Sequence, residues 1–402
     1  MLLLLFPAAA RAQAIGQAPS LLGVPAEFIL FGLTLAGVAL WHRHTLAVAS
    51  SGLAALLALK LWMGGFDLAA HLRHEAPVLL NLLGLLLGFA LLARHFEESH
   101  LPRALPRLLP GNWEGCFLLL FLVFVLSSFL DNIAGALIGG TIARAVFGGR
   151  VHIGFLAAIV AASNAGGAGS VLGDTTTTMM WVAGVPAIAV APAVVGGLSA
   201  LTFFGLVAAF QQDRFQGIMR PAGGPVAIDR GRVAIVGLIL IGAIVANVLF
   251  GFPAAGVWIA LLLGAGWRRP DWSELPGALK GALFLLALVL GASLMPVEEL
   301  PDPSWQSTLV LGLVSAVFDN IPLTKLAIDQ GGYDWGLLAY AVGYGGSMLW
   351  FGSSAGVALA THFPQARSVG AWLRHGWHLW VGYVVGFALM LWLMGWHPLT
   401  DR

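Results

Sequence analysis

Residues 127–133 read SSFLDNI and residues 315–321 read SAVFDNI, so one polar motif occurs twice in an otherwise apolar chain. A second pair of motifs follows in the same order: residues 165–175 (AGGAGSVLGDT) align without gaps with residues 344–354 (YGGSMLWFGSS). The shared frame is two glycines, five residues, a glycine, an acidic or hydroxyl residue, and a hydroxyl residue. Two polar motifs repeated in one order, at offsets of 188 and 179 residues, predict an internal duplication.

The composition around these motifs excludes several classes of protein. The 402 residues have a mean hydropathy of +0.88 and only 10% charged residues, against about 25% in a typical soluble protein. A net charge of +1 provides no field to attract nucleic acid. The single cysteine, Cys116, can form neither an internal disulfide nor a cysteine-based metal site. Membrane transport and membrane enzymology remain.

Hydropathy divides the chain into apolar segments long enough to suggest membrane helices, which need about 20 apolar residues each to cross a bilayer. The predicted segments are 26–41, 45–64, 77–93, 115–147, 151–181, 186–209, 233–250, 253–267, 281–295, 306–331, 337–362 and 377–397.

Basic residues orient these segments, because short cytoplasmic loops carry an excess of Lys and Arg. The loops predicted to be cytoplasmic contain Arg43; Arg94, Arg103 and Arg107; Arg144 and Arg150; the stretch 211–232; Arg268 and Arg269; and Arg367 and Arg374. The acidic loops at 298–302 and 329–334 are expected on the opposite side.

Two segments do not fit a simple crossing. Segment 115–147 begins and ends at basic loops, and segment 306–331 begins and ends at acidic loops, so both are predicted to be re-entrant hairpins. Ten full spans then remain, five before and five after the 211–232 linker. An odd number of spans in each half implies that the second half is inserted in the opposite orientation.

The predicted fold is therefore an all-α polytopic membrane protein built from two inverted repeats of five transmembrane helices. Each repeat contains a re-entrant hairpin and a broken helix. The predicted parts are a signal-like or flexible N-terminus (1–25), a first repeat (26–210, broken helix 151–181), a cytoplasmic linker (211–232) and a second repeat (233–402, broken helix 337–362). The signal-like character comes from a short apolar run before Ala12-Gln13-Ala14.

The repeated motifs place polar groups inside apolar segments. Non-helical backbone at membrane depth survives only where protein or a water-filled cavity satisfies it, so the Gly-rich stretches predict unwound segments facing a cavity. Ser163, Asn164 and Thr175 add side-chain oxygens to the exposed carbonyls. Such oxygen-rich sets bind hard cations.

Asp131, Asp174 and Asp319 are three carboxylates within the apolar segments, where burial is costly unless they pair, protonate or bind a cation. A carboxylate that either a cation or a proton can satisfy makes the two compete for one site. The sequence therefore predicts a monovalent cation/proton antiporter, with the Asp131-Asn132 and Asp319-Asn320 pairs at the turns of the two hairpins.

Structural roles remain open for several of these residues. Asp131 and Asp319 are also suited to cap the second helix of each hairpin, and Thr177 and Thr178 to satisfy freed backbone groups. Lys325 and Asp329 lie one helical turn apart and predict an ion pair. Two further charged residues, Glu27 and Lys60, are expected to reach toward the membrane interface.

The motif strings also resemble a known family. SSFLDNIAGALI, SNAGGAGSVLGDTTTTMMW, SAVFDNIPLTKLAI and YGGSMLWFGSSAGVAL are similar to the motifs of NhaD-type sodium/proton antiporters. These belong to an ion transporter superfamily that also holds citrate, dicarboxylate and arsenite carriers. The resemblance is specific over about 115–182 and 306–360; elsewhere it is limited to hydropathy.

The resemblance implies extrusion of sodium or lithium in exchange for protons across a bacterial inner membrane. It also implies a homodimer that moves by an elevator-like shift. Sodium is then the transported substrate, and no cofactor is expected. The ion-site positions that it implies are Asp131, Asn132, Asn164, Asp174, Thr175, Asp319, Asn320, Ser347, Ser353 and Ser354. Ser353 stands where the first half has Asp174, so the implied site is asymmetric.

Two other classes are weighed against this one. A sodium-coupled carrier of citrate, dicarboxylate or arsenite would use the same fold, but an anion needs positive charge at its site, and three acidic residues oppose that. A membrane-embedded enzyme would need a nucleophile with its base or a metal motif, and neither His-Glu-x-x-His nor Gly-x-Ser-x-Gly occurs in the sequence.

Overall fold

The computed structural model describes residues 20–21, 23–41, 44–219 and 226–399. Within these ranges the chain is almost entirely helical, and one pair of two-residue antiparallel strands, β1 (Ser20–Leu21) and β2 (Val24–Pro25), precedes the first helix. Six helices among the described residues are long and apolar enough to cross a membrane. The protein is thus an all-α polytopic membrane protein, as predicted.

The described residues of the first half form ten α-helices. They are α1 (Ala26–Leu40), α2 (Thr45–Met63), α3 (Leu68–Glu98), α4 (Leu101–Ala104), α5 (Trp113–Ser127), α6 (Asn132–Val146), α7 (Ile153–Ala168), α8 (Thr175–Val182), α9 (Ala187–Val190) and α10 (Ala193–Phe215). A 3-10 turn, Leu105–Leu108, follows α4.

The second half repeats much of this order. Its helices are α11 (Arg230–Phe250), α12 (Pro253–Ala265), α13 (Leu275–Ala292), α14 (Trp305–Ser315), α15 (Asn320–Gln330), α16 (Trp335–Gly345), α17 (Ser354–His362), α18 (Val369–His375) and α19 (Trp377–Met394). Further 3-10 turns occupy Trp272–Glu274, Val297–Glu299 and Pro364–Arg367.

Short polar side chains decide where the helices of the repeated motifs begin. Asp131 caps α6 by accepting a hydrogen bond from the Ile133 N–H, and Asp319 caps α15 in the same way from Ile321. Asp174 caps α8 through the Thr176 N–H. An acidic N-cap satisfies backbone donors that have no partner within the helix and complements the positive end of its dipole.

Both segments predicted as broken helices are interrupted. Helix α7 ends at Ala168 and α8 begins at Thr175, whereas α16 ends at Gly345 and α17 begins at Ser354. Glycines allow neighbouring backbone to approach closely: a Cβ on Gly166 would collide with the Phe124 carbonyl. The aligned Gly345 is equally close to the Gly312 carbonyl.

Several predicted bounds change. The linker predicted at 211–232 is shorter, because α10 continues to Phe215 and α11 begins at Arg230. The apolar segments 26–41 and 253–267 form helices of 15 and 13 residues, below the length of about 20 residues needed for a straight crossing. Most of the predicted N-terminal signal, and Arg43, lie outside the described residues.

The repeated motifs occupy the centre of the molecule. Helices α7 and α16 pack against each other, and α16 is buried along its whole length. Around them α6 contacts α17, and α8 contacts α15, so elements of one half complete the packing of the other. Helix α3 packs against α8, and α13 packs against α15. The polar motifs are thereby enclosed within protein.

Candidate functional site

Each hairpin turn presents a half-buried carboxylate beside a buried amide. Asp131 and Asp319 lie between the two helices of their hairpins, and Asn132 and Asn320 begin the second helices. The caps of α6 and α15 have nearly the same backbone geometry, with φ and ψ of −50° and 143° at Asp131 and −53° and 137° at Asp319. The expected capping role is therefore present at both positions. Each carboxylate retains oxygen acceptors for a second partner.

The interruption between α7 and α8, here called the first break, places a carboxylate inside the protein; the interruption between α16 and α17 is the second break. Asp174 is 1% exposed; its Oδ1 accepts the Thr176 N–H at 3.0 Å, whereas its Oδ2 has no hydrogen-bond partner. The Thr177 hydroxyl donates to the Ser170 carbonyl at 2.6 Å, and the Thr178 hydroxyl to the Val171 carbonyl at 2.8 Å. These two threonines satisfy carbonyls freed by the break, which is the structural role expected of them. They leave the Asp174 carboxylate with an unused acceptor oxygen, and the neighbouring Thr176 Oγ1 also has no partner.

A chain of amides joins the first hairpin to both breaks. The Asn132 Nδ2 donates to Asn164 Oδ1 at 3.2 Å, and the Asn164 Nδ2 donates to Ser353 Oγ at 3.1 Å. Ser163 fixes the hairpin end, since its hydroxyl donates to the Asn132 carbonyl at 2.5 Å. Ser353 in turn caps α17 by accepting the Gly356 N–H. The predicted residues of the first hairpin and of the second break are thus in direct contact.

The second hairpin is less fully bonded. The Ser354 hydroxyl donates to Asp319 Oδ2 at 3.4 Å, while the Nδ2 of buried Asn320 has no partner. Ser347 is buried, and its hydroxyl donates to the Tyr344 carbonyl at 2.5 Å. Ser347 therefore satisfies the backbone at the end of α16. The turn of the second hairpin therefore presents one carboxylate, Asp319, and one unpaired amide, Asn320.

The three carboxylates divide between two cavities. Asp131, Asp174 and Thr175 line a cavity of about 10 Å³, closed on its other side by Leu82, Leu85, Leu86 and Phe89 of α3. Asp319 and Ser354 line a separate cavity of about 220 Å³. No group of three or more His, Cys, Asp or Glu side chains within the described ranges is arranged to hold a metal ion. Asp131 and Asp174 therefore share one cavity, and Asp319 lines another, together with mostly apolar residues from both halves.

The cavity beside Asp174 can hold one small species. Its volume is near that of a single water probe, about 10 to 15 Å³. Carboxylate and hydroxyl oxygens, which Asp131, Asp174 and Thr175 carry, are hard ligands that suit a small cation better than a transition metal. Protonation of a carboxyl would relieve the same charge. The arrangement can therefore exchange a cation for a proton.

The sequence does not indicate the second partner of Lys325. The Lys325 Nζ lies 3.0 Å from Glu75 Oε2 and 2.8 Å from Asp329 Oδ1. The Lys325–Asp329 pair is confirmed, but Glu75 comes from α3, 250 residues away, so spacing within α15 cannot indicate it. The available signal was Glu75 itself, which lies two residues before Pro77 and is the one acidic residue of the apolar stretch 68–96. This pair ties the second hairpin to α3.

The expectation for Glu27 and Lys60 is wrong in part. Glu27 is 1% exposed and bonds to the half-buried Lys60 Nζ at 2.9 Å, so the two form a partly buried ion pair between α1 and α2. A membrane-embedded carboxylate is far less costly when a cation is at hydrogen-bond distance. The pair therefore joins helices.

The structure is that of a polytopic membrane protein with carboxylates in its interior. Each half contributes one hairpin and one broken helix to the region around these carboxylates. Comparison with known proteins gives the relatives of this chain. No family profile matches it. The chain is 28% identical to Sodium/proton antiporter 1 of Arabidopsis thaliana, over 82% of this chain and 66% of the relative. Sodium/proton antiporter 2 of the same plant is 27% identical, over 82% and 90%.

A bacterial relative supports the same assignment. The Na(+)/H(+) antiporter NhaD of Alkalimonas amylolytica is 27% identical, over 68% of each chain. The resemblance to NhaD-type sodium/proton antiporters, first seen in four motif strings, thus extends over most of the sequence and is confirmed. The relatives are named as antiporters, which are transporters rather than enzymes.

Proposed function

We propose that this protein exchanges sodium or lithium for protons across a bacterial inner membrane, with cation and protons competing at Asp131 and Asp174. The observation that carries the proposal is the small cavity lined by these two carboxylates, in which Asp174 Oδ2 has no protein partner. A buried carboxylate in this position needs a proton or a cation. Asp319 with Ser354 forms the corresponding site of the second half.

We further propose that the chain is two inverted repeats, 26–210 and 233–402, joined by the linker. Matching helix contacts in the two halves support this. Helix α6 packs against α17, and the counterpart of α6 in the second half, α15, packs against α8. Likewise α5 packs on α7, as α14 packs on α16. Inverted repeats that enclose a site near the membrane midplane are the usual basis of alternating access. A homodimer is proposed on the family resemblance alone.

Coupled uptake of citrate, dicarboxylate or arsenite is not favoured. An anion site requires donors and positive charge, but the first-half cavity contains Asp131 and Asp174. Lys325 is the basic residue of the second hairpin, and it is already bonded to Glu75 and Asp329. The named relatives reported above are all sodium/proton antiporters.

Substitution of each carboxylate by asparagine separates the two roles of these residues. Asparagine caps a helix about as well as aspartate but carries no charge. In everted vesicles with an imposed pH gradient, we expect Asp131→Asn, Asp174→Asn and Asp319→Asn to abolish or greatly reduce gradient dissipation by Na⁺ or Li⁺. Asp67→Asn is the matched control, because Asp67 caps α3 at an exposed site.

Thermal unfolding in detergent gives a second readout. A ligand at 100 times its Kd stabilises a protein by about 2.7 kcal/mol, so Na⁺ should raise the melting temperature of the wild type and not that of Asp174→Asn. The stabilisation by Na⁺ should shrink as the pH falls, because protons compete for the same carboxylates. Full transport by all three variants would refute the proposed site.

A further inference from the structure

A third cavity connects the candidate ion site with a charged surface. It measures about 390 Å³ and lies between α3, α6 and α13. Asp131 lines one part of it, and Arg94, Glu97 and Glu274 line another. Asp131 also lines the small cavity that contains Asp174, so a single carboxylate borders both spaces. We call the larger space the access cavity.

The walls of the access cavity are apolar. They consist of Leu86 and Phe89 of α3, Ile133 and Leu137 of α6, and Leu285 of α13, with small residues such as Gly281 between them. Low-dielectric walls focus the electric field of the charges that line a cleft, and this cleft is lined by three carboxylates and one guanidinium group. A cation within this space therefore experiences the carboxylates at its ends more strongly than it would in open water.

The charged end carries an excess of carboxylates. Four carboxylates surround Arg94: its guanidinium lies 3.1 Å from Asp271, 3.2 Å from Glu98, 3.5 Å from Glu97 and 3.6 Å from Glu274. Arg232 adds a second guanidinium, bonded to Glu98. Arg232 also pairs with Asp229, which Arg268 bonds, so three guanidinium groups face five carboxylates and this cluster carries net negative charge.

Glu97 and Glu274 are the carboxylates of the cluster that line the access cavity. They form the two longest pairs with Arg94, and their side chains are 44% and 45% exposed. Asp271 has other partners: the Ser273 side chain and N–H, and then Arg94, hold the pKa of this exposed carboxyl below its ordinary value. Glu97 and Glu274 thus combine exposure to solvent with a position at the cavity.

The inner end supplies the independent observation that points to a cation. Asp174 is 1% exposed, and its Oδ2, in the small cavity beside Asp131, has no protein partner. An acidic cluster at a surface need not lead anywhere. The access cavity, in contrast, extends from this cluster to Asp131. Asp131 also lines the small cavity in which the buried Asp174 Oδ2 has no partner.

We propose that the access cavity is the route by which cations reach Asp131 from the side of the arginine-rich loops, with Glu97 and Glu274 recruiting them. This inference rests on the proposed function, since it assumes that Asp131 and Asp174 bind the transported cation. Glu97 and Glu274 raise the local cation concentration and affect capture. They do not bind the cation in the closed site, so they leave turnover at saturation unchanged.

The test is the dependence of exchange on Na⁺ concentration in everted vesicles, whose outer surface is the arginine-loop side. Glu97→Gln, Glu274→Gln and the double variant should raise the apparent KM for Na⁺, by about fivefold in the double variant, with an unchanged maximal rate. The difference from wild type should decrease in high choline chloride, because salt screens exposed charges beyond about 3 Å at 1 M. Glu298→Gln with Glu299→Gln is the control, since both residues are exposed in another loop.

Filling the access cavity provides a second, steric test. An added Cβ on Gly281 has no atom within 4 Å, so Gly281→Phe projects a ring into the space without a backbone clash. Exchange of Na⁺ added to everted vesicles should slow, whereas stabilisation by saturating Na⁺ in detergent should persist. Gly237→Phe is the control, because Gly237 is equally open and lies on α11.

The outcomes separate this inference from the proposed function. A wild-type protein that shows no Na⁺- or Li⁺-dependent dissipation of a pH gradient overturns the proposed function itself. A wild-type protein that exchanges Na⁺ while the glutamine variants keep the wild-type KM overturns the recruiting role. Undiminished exchange by Gly281→Phe overturns the route.

Discussion

The two halves differ in side-chain length at their contact, and the differences are complementary. In the motif alignment Asn164 corresponds to Gly343, and Asp174 corresponds to Ser353. The longer Asn164 meets the shorter Ser353 at 3.1 Å. At the corresponding position, Gly343 contributes no side chain and faces the longer Asp174. The asymmetry therefore leaves Asp174 without the amide partner that Ser353 has.

Gly343 should consequently control the space beside Asp174. A Cβ added there would lie 3.5 Å from Asp174 Oδ2 and 3.1 Å from the Ala168 Cβ. We expect Gly343→Ala to raise the KM for Na⁺ by about threefold to tenfold, because a methyl group displaces a polar partner worth on the order of 1 kcal/mol. The measurement is Na⁺-dependent dissipation of a pH gradient in vesicles.

Gly237→Ala is the control for this substitution. Gly237 also sits within a helix, and an added Cβ there meets nothing within 4 Å. This variant should transport like the wild type and should be slightly more stable, because alanine favours a helix over glycine by about 1 kcal/mol. An unchanged KM in Gly343→Ala would show that the space beside Asp174 does not limit cation binding.

The sequence located individual polar residues well but could not reveal their partners. Asn132, Asn164 and Ser353 stand out because they are polar within apolar, repeated motifs. The hydrogen bond between Asn164 and Ser353 joins residues 189 positions apart, and it depends on how closely α7 approaches the second break. Spacing along a chain carries information about one helix face, not about which helices meet.

At the level of elements, glycine-rich breaks were easier to predict than helix ends. The segment 77–93 became α3, Leu68–Glu98, because charged residues near its ends lower the hydropathy without interrupting the backbone hydrogen bonds. Both breaks fell within the predicted segments, since consecutive glycines and polar residues disfavour helix and an aspartate or serine restarts it. Hydropathy thus predicts which residues are buried, whereas capping residues predict where a helix begins.

The Lys325–Glu75 pair fixes α15 against α3 and should be essential for stability. The two side chains are 6% and 7% exposed. Removing one partner of a buried pair costs about 3 to 5 kcal/mol, because the other charge is left uncompensated. We therefore expect Lys325→Met to lower the thermal unfolding temperature in detergent strongly, and Lys325→Met with Glu75→Gln to recover much of the loss.

The exposed Lys280 of α13 provides the comparison for this prediction. Lys280→Met removes the same charge without leaving a buried carboxylate, and it should change the unfolding temperature little. If the double variant proved as unstable as Lys325→Met alone, the loss would come from packing around the lysine stem and not from an unpaired Glu75.

At the scale of the whole molecule, several contacts between helices recur when each helix is replaced by its counterpart in the other half. Helices α1 and α2 pack together as α11 and α12 do, and α3 packs on α12 as α13 packs on α2. The duplicated motifs predicted the order of these elements. They could not predict the contacts between halves, because those depend on the relative orientation of the repeats, which motif order does not specify.

Opposite orientation can be tested with two loops that hold equivalent places in the proposed repeats. The loop after α3 contains Arg103 and Arg107, and the loop after α13 contains Glu298 and Glu299; all four residues are exposed. If the halves are inverted, these loops lie on opposite sides of the membrane. The excess of arginine in the first loop predicts that it is cytoplasmic.

The single cysteine of the sequence, Cys116, is buried, and Cys116→Ala gives a background suited to site-specific labelling. In that background, Arg103→Cys and Arg107→Cys should react with a membrane-impermeant maleimide in everted vesicles and be protected in right-side-out ones. Glu298→Cys and Glu299→Cys should show the reverse pattern. Because each pair occupies equivalent loops, labelling of all four from one side would mean that the halves have the same orientation, and a two-fold axis in the membrane plane could not relate them.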